Sequence, residues 1–179
     1  MLKVLLPSGP RNWTYASLAE ELYMSSSQVF RSVERAVTAH LLEGFTDFPP
    51  PPGKPAVQSR VLRSPNRGNL KEFLIHGVQY AFPAQRGGPT RGIPTAGAAA
   101  PLNQHIMPPP PAELPPVWPY AEGWVRGTEF SPLYKNVPKA AMRDPQLYEL
   151  LTLVDAIRDG RAREREIAVR ELTFKIDKL

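Results

Sequence analysis

The sequence predicts a mainly α protein with ordered ends and an irregular, proline-rich middle. Three observations carry that reading. Residues 13–40 contain two successive apolar patterns at helical spacing, each introduced by a hydroxyl side chain. Residues 144–176 contain two more, forming a C-terminal helical hairpin. Between these regions, residues 81–137 hold 12 of the 22 prolines and lose all periodicity.

Bulk properties bound the function. A chain of 179 residues suffices for one domain or two small ones. Its apolar fraction of 42% is slightly low, and 22 prolines are too many for one compact fold, so part of the chain is expected to be extended. Cysteine is absent, which excludes disulfides and thiolate chemistry and fits a reducing interior. There is no run of about 18 apolar residues and no charged-then-apolar leader, so the expected location is the cytoplasm, without a membrane partner. The net charge of +5 is modest, but Lys54, Arg60, Arg63, Arg67 and Lys71 form a basic block with no acidic residue among them.

The elements follow in order. Met1 to Leu6 is short and apolar and ends at Pro7-Ser-Gly-Pro10, as the last turns of a helix would. Thr14 is an N-cap, with Tyr15, Leu18, Ala19 and Leu22 at helical spacing behind it. Tyr23-Met24 breaks the pattern, and Ser25 caps a longer helix. On a wheel of about 100° per residue, Val29, Val33, Ala36, Val37 and His40 share one face, with Phe30 and Leu41 at its edge. Ser27, Gln28, Arg31, Glu34 and Arg35 occupy the other. Its hydroxyl, amide and guanidinium groups suit hydrogen bonding to base edges and phosphates in a DNA major groove.

The run Trp13-Thr-Tyr-Ala-Ser-Leu-Ala-Glu-Glu-Leu-Tyr-Met-Ser25-Ser-Ser-Gln-Val29 resembles the helix-turn-helix of MarR-like winged-helix bacterial regulators, over about residues 1–48. The resemblance implies a winged-helix-like domain over 1–80 that binds double-stranded DNA as a homodimer, with the helix over about 26–40 in the major groove. Arg31 and Gln28 would read bases, while Ser26, Ser27, Arg35, Lys54, Arg60 and Arg63 would hold backbone. Where this family carries glycine in a left-handed turn, the chain has Tyr23, at a cost on the order of 1 kcal/mol.

After His40, Leu41–Phe45 resembles the passage into a first wing strand, but Pro49 to Pro52 then impose a polyproline-like path. Residues 57–63 could be a strand, and Ser64–Gly68 is turn material. Asn69 is expected to cap a helix carrying Leu70, Phe73, Leu74, Val78 and Tyr80, with His76 in a structural role. Residues 81–137 read as an arm with many apolar anchors, including Ile93, Val117, Trp118, Trp124 and Phe130. Such an arm must lie on its own domain, a second subunit or another protein. Arg86-Gly-Gly-Pro-Thr-Arg-Gly92 lacks the lysine ending and preceding strand of a phosphate loop, and reads as a flexible loop contacting DNA or a partner. Asp144-Pro145 starts a helix with Leu147, Leu150, Leu151, Val154 and Ile157 on its apolar side; Gly160 ends it. A second helix over about 161–175 carries Ile167, Ala168, Leu172 and Ile176. The pair, at residues 138–179, is too small to stand alone and must dock.

Catalysis is not expected. His40, His76 and His105 are widely separated, no nucleophile elbow or phosphate loop occurs, and Asp155, Asp159 and Glu164 are spaced as helix-surface charges. Neither a cofactor nor a metal is implied. The expected function is DNA-binding transcriptional regulation. The alternative is an antitoxin or adaptor-type module whose arm and hairpin wrap a heterologous protein partner.

Overall fold

The computed structural model describes residues 1–6, 13–43, 64–107 and 113–179. The chain is mostly helical with a small amount of sheet, and it divides into two compact units, Met1–Leu70 and Lys71–Leu179. Among the described residues no helix is long and apolar enough to cross a membrane.

In the first unit, helix α1 (Leu2–Leu5) precedes α2 (Tyr15–Leu22) and α3 (Ser26–Thr38). Leu18 and Ala19 of α2 and Val29, Val33 and Ala36 of α3 are buried together with Leu42. Lys3 Nζ lies 2.8 Å from Glu21 Oε2, an ion pair between α1 and α2. The short strands β1 (Leu42–Glu43) and β2 (Ser64–Pro65) pair antiparallel, Leu42 opposite Pro65 and Glu43 opposite Ser64. Ser64-Pro65 is therefore paired strand rather than turn. The polyproline run and the possible strand over 57–63 lie outside the described residues.

Helix α4 (Arg67–Glu72) starts earlier than its apolar spacing suggests. Asn66, not Asn69, supplies the cap, its Oδ1 accepting from Asn69 N–H at 3.0 Å. Asn69 Nδ2 instead donates to the His40 carbonyl at 2.9 Å.

The second unit opens with a π-helical stretch, Phe73–Gly77, and α5 (Val78–Ala81). A Cβ on Gly77 would stand 3.0 Å from the Phe73 ring, so a small residue here leaves room for that ring. Residues 86–130, expected to be irregular, contain three strands: β3 (Arg86–Pro94), β4 (Pro116–Pro119) and β5 (Val125–Phe130). β3 runs antiparallel to both others and β4 runs parallel to β5, so each strand pairs with the other two and the sheet closes. Pro116 begins β4, Pro119 and Pro94 end their strands, and Pro89 follows a register shift, positions where a missing N–H costs the ladder little. Gly92 faces Pro119 on one side and Val125 on the other. A Cβ there would stand 2.0 Å from the Trp118 carbonyl oxygen, so only glycine permits this closure.

The remaining helices are α6 (Val137–Arg143), α7 (Pro145–Asp159) and α8 (Ala162–Lys178). The predicted hairpin thus has a third helix before it, started by Pro138 at its first turn. The Asp144 carboxylate caps α7, accepting from Gln146 and Leu147 N–H at 3.0 and 3.1 Å. At the far end the backbone turns extended at Gly160, where a Cβ would stand 2.3 Å from the Ala156 carbonyl oxygen, so the position suits glycine.

α7 is the centre of this unit. Leu147, Leu150, Leu151, Leu153, Val154 and Ile157 are buried, as are the strand residues Ile93, Val117, Trp118 and Phe130. Four of the anchors of the supposed arm, Ile93, Val117, Trp118 and Phe130, therefore belong to the core of their own unit, whereas Trp124 is exposed. Asp155, read from spacing as a surface charge, is buried. Its Oδ2 accepts from Thr95 Oγ1 at 2.8 Å and Trp118 Nε1 at 2.6 Å, and its Oδ1 from Arg158 Nη1 at 2.6 Å. Arg158 in turn donates to the carbonyls of Phe82 and Ser131, at 2.7 and 3.1 Å, which satisfies the buried pair.

Candidate nucleic-acid interface

Both helices of the motif are capped within the chain. Thr14 Oγ1 accepts from Ser17 N–H at 3.1 Å and Ser17 Oγ accepts from Thr14 N–H at 2.9 Å. Ser25 Oγ accepts from Gln28 N–H at 3.2 Å, and Gln28 Oε1 accepts from Ser25 N–H at 3.0 Å. These reciprocal capping boxes satisfy helix N–H groups that would otherwise face solvent.

The turn between α2 and α3 closes without a glycine. Tyr23 is left-handed, at φ 53° and ψ 43°. Met24 N–H reaches the Ala19 carbonyl at 2.9 Å and Tyr23 N–H reaches that of Glu20 at 3.3 Å, a Schellman termination. α3 ends in the same way. His40 is left-handed at φ 55°, with Leu41 N–H to Ala36 O at 2.8 Å and His40 N–H to Val37 O at 2.9 Å. His40 thus closes the helix instead of extending its apolar face.

Five predicted contact residues, Ser26, Ser27, Gln28, Arg31 and Arg35, are exposed on α3, opposite the buried Val29, Val33 and Ala36. Arg31 has no hydrogen-bond or ion-pair partner among the described residues, and Arg35 Nη2 donates to Ser32 Oγ at 3.3 Å. The expectation for Gln28 changes. Its carbonyl is committed to the cap, so a bidentate amide contact with adenine requires that bond to break. Lys54, Arg60 and Arg63 lie outside the described residues.

Spacing alone did not single out the aromatic groups beside this row. Trp13 meets Tyr15 edge-on at 6.0 Å, and Tyr15 meets Phe30 edge-on at 5.4 Å. Phe30 is 48% exposed and, with Tyr15, Ser26, Ser27 and Arg31, lines an open cleft of about 500 Å³. Its position at the edge of the apolar wheel was the available signal. Among the described residues, no group of three His, Asp or Glu side chains is placed to hold a metal ion. No protein-family model, curated protein or solved structure matches the chain.

Proposed function

We propose that the chain is a sequence-specific, double-stranded-DNA-binding transcriptional regulator that presents α3 to the major groove and binds as a homodimer. One observation carries this reading: Ser26, Ser27, Arg31 and Arg35 form an exposed row on a helix whose opposite face is packed and whose end is capped internally. Guanidinium groups read guanine bidentately, and hydroxyl groups take phosphate or base edges. The antiparallel β1–β2 pair after α3 supports a wing at the position the resemblance implies.

The test is selection of bound duplexes from a random pool, followed by titration of variants. A two-fold dimer enriches paired half-sites about 10 base pairs apart. Arg31→Ala relaxes preference at one base pair, at a cost of about 1 to 3 kcal/mol. Arg60→Ala weakens all sequences alike and flattens the salt dependence. A pool that enriches no sequence would overturn the proposal.

A further inference from the structure

Strand β3 carries two arginines with different surroundings. Arg86 donates to Asp159 at 2.6 Å and lies 5.9 Å from the Phe130 ring centre. Arg91 stands directly opposite Arg126 of β5 in the antiparallel register, and both are exposed. Directly opposed residues project to the same face with Cβ atoms about 5 Å apart, and like charges so placed work against the pairing. Neither guanidinium has a hydrogen-bond or ion-pair partner among the described residues. By contrast, Arg158 and Arg161 each meet a carboxylate.

A third exposed group lies in the bend that leads into β5. Trp124, two residues before Arg126, is 56% exposed. The turn before it is held against β3. Gly123 N–H donates to Tyr120 O at 3.0 Å, and Tyr120 N–H donates to Arg91 O at 3.1 Å. Gly123 lies so near Gly92 that a Cβ would stand 2.3 Å from the Gly92 carbonyl carbon. The bend that carries Trp124 is therefore braced against β3 next to Arg91, and it leads directly into β5 and Arg126.

We propose that Arg91, Arg126 and Trp124 form a binding surface for single-stranded nucleic acid. The guanidiniums take backbone phosphate and the indole stacks on a base. Planar guanidiniums match phosphate oxygens, and an aromatic face accepts any base. A duplex hides its base faces from such a platform. An extended acidic peptide offers the guanidiniums carboxylates but no flat base for the indole to stack on. This surface is independent of the reading of α3.

The experiment is fluorescence anisotropy of the full chain with a labelled oligothymidylate of roughly 15 nucleotides, near the upper site size of one small domain. Saturable binding is expected at low salt. The double variant Arg91→Gln, Arg126→Gln should weaken it at least tenfold and reduce the magnitude of the log–log salt slope by about 1.4, or about 0.7 per lost phosphate contact. Trp124→Ala should weaken it roughly tenfold, Trp124→Phe should restore most of the loss, and Arg31→Ala should leave it unchanged. Circular dichroism confirms that each variant is folded. Unchanged affinity in the double variant would overturn the proposal, as would loss of binding in Arg31→Ala. Heparin has charge but no bases; if it binds as tightly and Trp124→Ala has no effect, the surface is a plain anion patch and the proposal fails. Selection of duplexes through α3 can fail or succeed separately from each of these results.

Discussion

Asp155 accepts the indole N–H of Trp118 at 2.6 Å, joining α7 to β4 at a point where neither side chain meets solvent. Burial pushes the Asp155 carboxyl up, while the Arg158 charge and the hydrogen bonds from Thr95, Arg158 and Trp118 favour its ionised form. Its donors come from a helix, a strand and the segment after β3 at once. A buried network of this kind stabilises only when it is complete.

Breaking that network should therefore be costly. Asp155→Asn leaves the buried Arg158 guanidinium without its counter-charge, and an expected loss of about 3 to 5 kcal/mol should appear as a lower denaturant midpoint. Trp118→Phe removes one donor and some packing, for about 1 to 3 kcal/mol. An Asp155→Asn protein as stable as the parent would mean that the pair contributes nothing as an ion pair.

The closed sheet should distinguish its glycines sharply. Gly92→Ala places a methyl group 2.0 Å from a backbone oxygen, and at least about 3 kcal/mol should be lost. Gly88 has nothing within 4 Å of its Cβ position, so Gly88→Ala should stay within about 0.5 kcal/mol. Paired thermal melts decide the matter, and equal effects would contradict the closure.

Alkaline stability should report on Tyr148. Its hydroxyl donates to the Pro94 carbonyl at 2.6 Å, and burial pushes its pKa up from 10.0 to about 12. The unfolded tyrosine ionises first, so this contribution is fully present below pH 10 and is lost as pH rises towards 12. Burial pushes Tyr134 in the same direction. Stability should fall by up to about 2 kcal/mol across that window on account of Tyr148. Tyr148→Phe should be less stable at neutral pH and should show a shallower alkaline decline; an identical slope would remove Tyr148 as the cause.

His40 offers a stabilising change in the first unit. Its left-handed backbone costs an L-residue about 1 to 2 kcal/mol, partly offset by the greater freedom that glycine has when unfolded. His40→Gly should raise stability by about 0.5 to 1 kcal/mol, measured by urea denaturation. Its backbone carbonyl still accepts from Asn69, so that bond is kept. A destabilised variant would show that the imidazole contributes more than the backbone strain costs.

Residues 13–40 were legible in the sequence because the caps and turns that bound their helices lie within five residues. Thr14 and Ser25 cap their own helices, Tyr23 turns by bonds to the preceding helix, and the spacing of Val29, Val33 and Ala36 selects the buried face. The same locality made Asp144, Pro145 and Gly160 readable as the bounds of α7. It also sets the exposed row on α3.

The sheet was not legible, for the opposite reason. Gly92 meets Pro119 and Val125, partners about thirty residues away, and β5 is buried at every third position rather than every second. Prolines at strand ends gave the look of an irregular arm, and nothing local distinguished the buried Asp155 from the more exposed Asp159 four residues later. Short-range hydrogen bonds and apolar periodicity are written into neighbouring residues. Strand closure, a buried carboxylate and two arginines brought face to face depend on which distant backbones approach each other, and only the tertiary structure decided that.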